Sequence, residues 1–428
     1  MNRGVGLALL LAAAIPISAP PAIAQETPPA KTTTEPWAQF DQTSLSLRGS
    51  LWSHSRSLDG ETSVGSASAW ASGRLRLGEG AKAVYDGWVR NDRLGDGGAT
   101  QGEVREAYLA GSAGNWDFAA GRQLIVWGKA DAVNPTDVLS VRDFTLLTPL
   151  DDDQKSGVGA LKATYNLDDL RLSAIALPEF RPSKLPLPRT PGVSFTERDP
   201  ANPWRQFALR AERSAGSLDW SVSAFDGYER SPDLHLTGVD AHGVHVDLTH
   251  TRIRMLGADV ATTIGRYGVR GEVAFVRTDD PDGKDPFTRN PYVYAVVGGD
   301  RTFFENLNVN VQLLYRRIQA FEDPLAMAPP LRRLALSQAL TSNQRDAEQF
   351  GATFRILDKW QNDTIEAERG GIVWFARGDW LLRPRLRYAV NDRLKLSVGA
   401  DVYRGPVDSF LGNPRELSTV FVEVGYGI

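Results

Sequence analysis

Three arginines, Arg383, Arg385 and Arg387, stand at alternate positions, with Leu382, Leu386 and Tyr388 on the opposite parity. On extended backbone alternate side chains share a face, so the three would form a cationic ladder backed by apolar side chains. The same alternation puts Arg48, Arg74, Arg76, Arg210, Arg252, Arg254, Arg270 and Arg316 on the polar faces of apolar-polar runs. Fewer acids share those faces: Asp86, Glu212, Glu272, Asp401 and Glu423. A wall of guanidinium groups has two uses. It concentrates anions in the space it encloses, or it pairs with carboxylates across strands and fills that space. The residues leave both open.

A second concentration of charge lies in the stretch Trp116 to Thr164. It begins as a strand, with Phe118, Ala120, Leu124 and Val126 interleaved with small or polar residues. It ends as another, with Leu161 and Ala163 alternating with Lys162 and Thr164. Between them, residues 129–153 follow neither period and carry Lys129, Asp131, Asp137, Arg142, Asp143, Asp151, Asp152 and Asp153. A structureless segment this long inside a compact domain is functional or disordered, and disordered segments are poor in apolar residues. This one holds Val138, Leu139, Val141, Phe144, Leu146 and Leu147, among others. It is expected to be an ordered loop between two membrane strands, folded inward and narrowing the enclosed space. Phe144, Leu146 and Leu147 would pack on the inner wall or on the loop itself. Asp151, Asp152 and Asp153 would meet wall arginines, with Arg122 and Gln123 anchoring the loop's base. The acidic run also fits a solvated surface loop, or a calcium site, since carboxylate oxygens suit that ion.

Other chemistries find little support. His235, His242, His245 and His250 cluster with Asp233, Asp240 and Asp247. Their spacing matches no metal-binding signature, and a surface loop is the plainer reading. A membrane hydrolase would need a Ser beside a strand-mounted His, and the strand-like histidines lie at a loop edge. Gly298-Gly299 and Gly370-Gly371 are isolated glycine pairs, not a phosphate loop or a dinucleotide fingerprint. The chain has no Cys, which excludes disulfides, thiolate metal sites and Cys nucleophiles. A formal net charge of -4 gives no argument for nucleic acid. No catalytic residue, metal, cofactor or nucleic-acid partner is therefore expected.

The elements that would position these residues are strands. Leu218, Trp220, Val222 and Ala224 alternate with Asp219, Ser221 and Ser223; Leu307, Val309, Val311 and Leu313 alternate with Asn308, Asn310 and Gln312. Such runs last about 9 to 13 residues, the span a tilted strand needs to cross a bilayer. Strands of soluble proteins are usually shorter, about 5 to 6 residues. Tight turns are expected near Gly78-Gly80, Gly111-Asn115, Asn166-Asp169, Ala215-Ser217, Gly265-Tyr267, Gly298-Asp300, Asp358-Asn362 and Val390-Arg393. Longer connections fall between them, near 54–65, 94–102, 129–153, 179–203, 230–250, 279–291, 320–345 and 405–416, with the brief link at 377–379 the exception. This rhythm reads as an all-β chain: a single transmembrane antiparallel β-barrel of about 18 strands, 16–18 by the count, with short periplasmic turns and long external loops. Leu45, Leu75, Leu161, Trp220, Val309, Leu396 and Val422 would face lipid. The best candidate for a helix is Asp323 to Gln344.

The ends of the chain agree with export. Arg3, an apolar run from Val5 to Ile15 and Ala22-Ile23-Ala24 read as a signal peptide over residues 1–24. A Pro/Thr-rich lead over 25–36 reads as disordered, with the barrel over 37–428. No later stretch is apolar enough for a spanning helix, so a place in the membrane would require a closed barrel. The last strand carries Val420, Val422, Val424, Tyr426 and Ile428 on one face and would close on the first.

The signal, the alternating strands and the run Gly121-Arg122-Gln123, Trp127-Gly128, Asn134-Pro135 and Asp137 together resemble Gram-negative outer-membrane porin-like barrels. The likeness is to the alginate-export type and to porin-like families with a similar GRQ, WG and NP stretch. It implies passage of a solute across the outer membrane, with outer-membrane lipid and the barrel assembly machinery as partners. Joined to the arginine-rich face, it leads to the expectation of a channel for a hydrophilic, anionic solute such as an acidic sugar or polysaccharide. The alternative is a structural or adhesive surface barrel with a filled lumen and partner-binding loops.

Overall fold

A period of two can be satisfied in a membrane only by strands whose apolar face meets lipid and whose backbone donors are all paired. The structure, a computed structural model, describes residues 38–56, 58–92, 100–187 and 191–428. Eighteen strands form a wall: β1 (Ala38–Trp52), β2 (Val64–Leu77), β3 (Ala81–Asn91), β4 (Thr100–Ala113), β5 (Trp116–Gln123), β6 (Val158–Leu167), β7 (Leu170–Leu177), β8 (Gln206–Ala215), β9 (Leu218–Tyr228), β10 (Arg252–Ile264), β11 (Tyr267–Thr278), β12 (Tyr292–Phe303), β13 (Leu307–Ile318), β14 (Glu348–Trp360), β15 (Ile365–Trp374), β16 (Asp379–Ala389), β17 (Leu394–Arg404) and β18 (Thr419–Gly427). Each pairs antiparallel with its wall neighbours. The last closes on the first, with Leu47 opposite Tyr426 and Leu51 opposite Val422, so the wall has no open edge.

Exposure separates the two faces. On β6 Leu161 is 57% exposed and Ala160 2%; on β10 Leu256 is 65% exposed and Met255 1%. The exposed apolar face is the outward one, and buried polar groups such as Ser66, Asn310 and Gln312 lie inside. Leu45, Leu75, Leu161, Trp220, Val309, Leu396 and Val422 all fall on the outward parity of their strands. Among the described residues no helix is long and apolar enough to cross a membrane; the strands do so. The expected signal (1–24) and lead (25–36) lie outside the described residues.

Short and long connections alternate, with eight tight turns at one end and the long loops at the other, apart from the four-residue link 375–378 on the long-loop side. Two expectations are corrected here. Gly298 and Gly299 are not a turn but lie inside β12, where an added Cβ would collide with Val311 O and Gly268 O of the flanking strands. The turn comes later, at Phe304 and Glu305, which take left-handed φ of 50° and 72°. The pair marks close approach of strands, not a change of direction. Arg252 and Arg254 do not face the lumen either. They share the parity of Leu256 and Val260 and so point outward, beyond the end of the apolar band. Their strand continues past that band, and there polarity no longer marks the inner face. The one α-helix among the described residues, α1 (Pro329–Thr341), falls within the expected 323–344 interval.

Leu313, 56% exposed near the middle of β13, tests the lipid-facing assignment. Leu313→Arg should lower stability by about 2–4 kcal/mol, the cost of Arg near the bilayer midplane. The check is the urea midpoint of the barrel folded in lipid vesicles, read by the heat-dependent gel shift in SDS. An unchanged midpoint would put Leu313 off the lipid face.

Candidate functional site

β5 and β6 are hydrogen-bonded neighbours, so the 124–157 interval leaves and rejoins the wall at one place. Its side chains meet inward-facing residues around the ring. Leu146 shares a buried cluster with Trp70 and Trp88 of β2 and β3, and Leu147 with Trp52, Val64 and Phe421 of β1, β2 and β18. Leu139 and Val141 join Met255 and Val276 of β10 and β11; Phe144 joins Leu314 and Ile372 of β13 and β15. Only a segment inside the lumen reaches all of these.

Backbone N–H groups in such a segment have no ladder to join and need other acceptors. The Glu272 carboxylate, projecting inward from β11, supplies one. It accepts from Lys129 N (3.1 Å), Ala130 N (3.3 Å), Thr136 N (2.7 Å) and the Thr136 hydroxyl (2.8 Å). The motif residues shape the turn that wraps it. Gly128 has φ 97°, and a Cβ there would lie 2.5 Å from Glu272 Oε2, so only glycine lets the backbone come so close. Asn134 donates its side-chain amide to Ala130 O (2.9 Å), and Pro135 is buried where no donor is needed. Asp137 accepts from Ser140 (2.8 Å) and from Trp127 N (3.4 Å), and Arg142 stands 3.8 Å away. Burial pushes the Asp137 carboxyl up from its ordinary value, with Arg142 opposing, and lowers Arg142. The Trp127 ring lies 5.7 Å from the Arg210 guanidinium.

The loop's base is held differently from expectation. Gln123 faces inward and donates to Ala160 O (2.8 Å). Arg122 has the outward parity of Phe118; it reaches Val104 O (3.1 Å) and Glu179 (3.7 Å) and takes no part in the lumen. Gly121, φ 125°, lies against the Tyr108 backbone of β4. A register shift between Asp86 and Gly87 leaves Arg105 bulged out of the β3–β4 ladder. Arg105 and Glu106 both turn inward: Glu106 accepts from Leu124 N (2.9 Å), and Arg105 donates to Lys155 O (2.8 Å) and Asp152 O (2.7 Å). Strict alternation hides this clamp, because a bulge breaks the period.

Most of the inward arginines are engaged. Arg383, 2% exposed, pairs with Asp151 of the loop and with Asp401 at 2.7 Å. Arg385 stands 3.5 Å from Asp151 and 3.6 Å from Glu368, and Arg387 3.4 Å from Glu366. Arg48 meets Asp153 at 2.5 Å. Arg270 bridges Asp131 and Asp300, both at 2.7 Å, and burial pushes the Asp131 carboxyl up against that pull. Arg210 reaches Glu212 (3.1 Å) and Asp259 (3.2 Å), while Arg74 and Arg76 converge on Asp41 at 4.0 and 2.8 Å. Arg316 instead donates to Ser342 O and Asn343 O and lies over Tyr292. Asp152 turns away from the wall to Lys155 (2.8 Å), and Asp143 takes Lys184 (2.9 Å). Lys129 serves through its backbone alone in the Glu272 turn. Asp151, Asp152 and Asp153 thus face three different cations and do not converge as a calcium site requires. Among the described residues no group of three or more His, Asp or Glu is placed to hold a metal.

On the short-turn side of the loop lies a cavity of about 820 Å³. Gln123, Ile125 and Trp127 border it. Its cations are Arg74, Arg76, Lys82, Lys162, Arg171 and Arg210; its acids are Asp41, Glu79, Glu106, Asp117 and Glu212. Arg171 pairs with Glu212 at 2.5 Å. Lys82 and Lys162 make no ion pair or hydrogen bond among the described residues. Nothing in their alternation set them apart from other wall cations. On the long-loop side, Leu185, Phe410, Leu411 and Leu417 from two further loops join the cluster around Phe144. The loop histidines do not converge: His245 stands 3.1 Å from Asp240, His250 2.6 Å from Glu197, and His235 against the Phe287 ring.

No family model matches the chain, and no curated protein matches it in sequence. Solved structures match it in fold. OccAB1 of Acinetobacter baumannii superposes with a TM-score of 0.53 at 9% identity over 90% of this chain and 95% of that one. OpdK of Pseudomonas aeruginosa, solved with vanillate, gives 0.53 at 10% identity over 90% and 98%. OccK5 (OpdH) of the same organism gives 0.52 at 9% over 90% and 97%. The alginate-export type is not among the likenesses shown. The chain has the closed eighteen-stranded barrel fold of outer-membrane porins.

Proposed function

We propose that the chain is an outer-membrane channel for small hydrophilic solutes, its lumen narrowed by the 124–157 loop. The observation that carries this reading is the polar cavity of about 820 Å³ left beside the loop inside a closed wall. Sites for small molecules fall at about 300–1,000 Å³. That suits a sugar acid or an aromatic acid and disfavours a polysaccharide. The vanillate in one barrel of like fold is a small organic anion of the same class. An anion preference rests on Lys82 and Lys162. They face the cavity without an ion pair or hydrogen bond among the described residues, with Asp117 and Glu212 the acids that act on them at longer range, and fixed positive charge on a low-dielectric wall concentrates anions. The paired ladder at Arg383 contributes less to it. The packed clusters at the long-loop mouth favour the second reading, a barrel with a filled lumen that binds a partner through its loops.

Reconstitution in a planar bilayer separates the two: a channel gives single-channel steps, a filled barrel none. In a salt gradient at about 0.1 M, K82Q/K162Q should move the reversal potential toward cations, and the shift should fade near 1 M, where the Debye length drops from about 10 Å to about 3 Å. An unshifted potential at low salt would remove these lysines from the conduction path.

Loop position should depend on Glu272. Glu272→Ala leaves three backbone donors and a hydroxyl of the 129–136 turn without their acceptor, each costing about 1–3 kcal/mol if unsatisfied. Unit conductance should rise and open-channel noise increase, while the barrel still runs as a folded species before heating. Conductance equal to the parent's would place the loop off the path of ions.

A further inference from the structure

The outward face at the long-loop end of β9–β11 carries charge that the lumen does not use. Arg254 of β10 and Arg277 of β11 are register partners, so they stand side by side on that face. The next pair on the same face, Leu256 and Phe275, is 65% and 54% exposed and belongs to the lipid-facing band. The two arginines therefore sit just beyond the apolar band. Like charges directly opposite each other across antiparallel strands weaken their pairing. Among the described residues one carboxylate pairs with either arginine. Asp226 lies 3.5 Å from Arg254 and is shared with Arg252 at 2.5 Å. Arg277 makes no ion pair or hydrogen bond among the described residues. Asp279 follows two residues on, and Asp282 faces Lys284 at 3.4 Å. Beside the pair runs a groove of about 750 Å³ whose lining includes Leu209, Ala224, Leu256 and Phe275, with Arg254, Arg277, Asp226 and Asp282 at its polar end, each acid also held by a cation, Arg252 or Lys284.

We propose that this groove seats a phosphate-bearing acyl lipid of the outer leaflet, its phosphate between Arg254 and Arg277 and its chain along Leu256 and Phe275. The planar, five-donor guanidinium matches phosphate geometry and binds it by more than one bond. An anion between the two arginines offsets their repulsion, which Asp226 alone does not. The apolar part of the groove lies at lipid depth, so an acyl chain already surrounds it, and a headgroup at that depth falls level with the pair. The inference rests on the outer-membrane reading but not on conduction.

The test uses the full barrel purified in a neutral detergent and native mass spectrometry with bisphosphorylated lipid A as the probe. The parent should retain one lipid A per barrel, and R254Q/R277Q should lose at least tenfold in retention. The single variant R277Q, at an exposed position without a partner, gives the same reading where the double variant folds poorly. Dephosphorylated lipid A in place of lipid A should be retained weakly by parent and variants alike, and retention equal to that of lipid A would overturn the role of the phosphate. Equal retention of lipid A by parent and variants overturns the proposal. So does displacement of lipid A by inorganic phosphate at matched concentration, which would mark a site for a soluble anion. Bilayer conductance of R254Q/R277Q should equal the parent's, so loss of lipid with channel steps intact separates this inference from the channel reading.

Discussion

A backbone segment folded inside a barrel has no strand beside it to take its hydrogen bonds, and the arrangement of this lumen follows from how that need is met. The Glu272 side chain enters the turn formed by residues 128–136 and accepts from three backbone N–H groups and one hydroxyl. A carboxylate is costly to bury unless its oxygens are satisfied, and here each side supplies what the other lacks. With the turn pinned to β11, Asp131 falls beside Arg270 of that strand and Asn310 of β13. The chain then crosses the lumen, and Asp151 and Asp153 land on β16 and β1.

Those landings decide the electrostatics of the interior. A buried ion pair is weak evidence of net stability, because desolvation offsets the attraction. Breaking one by removing a partner nonetheless costs about 3–5 kcal/mol, since the remaining charge stays buried. Asp131, Asp151 and Asp153 meet arginines on three separated strands, so rotating or sliding the loop would break at least one such pair. The pairs thus act on where the loop sits more than on whether the barrel folds. They also neutralise the arginines they engage. The field in the remaining cavity falls to the charges the loop does not pair, Lys82 and Lys162 with Glu79 and Asp117 among them.

How much of this was legible in the sequence follows from the range of each interaction. A wall strand is specified by its own period, so the eighteen strands, their lipid faces and the alternation of turns and loops could be read locally. The apolar content of residues 129–153 likewise pointed to burial, and the side chains of Phe144, Leu146 and Leu147 lie in buried clusters. Alternation misleads where strands outrun the membrane, as at Arg252 and Arg254, and where glycines serve packing, as at Gly298 and Gly299. Pairing is a long-range property. The acidic run was expected to meet wall arginines, but neither the Glu272 turn nor the choice of Arg383 as the partner of Asp151 leaves a local trace, because the partners are far apart in the chain and alternation shows only that Glu272 and Arg383 face inward.

The base of the loop shows how one local irregularity does what alternation assigned to another residue. Arg122 adjoins the loop in sequence, but its parity sends it to the outer face. The bulge at Arg105 instead turns two consecutive side chains of β4 into the lumen, which no regular strand can do. They carry opposite charges and take opposite ends of the loop: Glu106 accepts from Leu124 N at its start, and Arg105 donates to Asp152 O and Lys155 O at its end. The Gly157 N–H completes the closure by donating to Arg105 O at 2.9 Å. An acceptor where the chain leaves the wall and a donor where it returns draw the two ends toward one strand. The loop's span is then set by the wall, and its middle is free to be positioned by the Glu272 turn and the three aspartates.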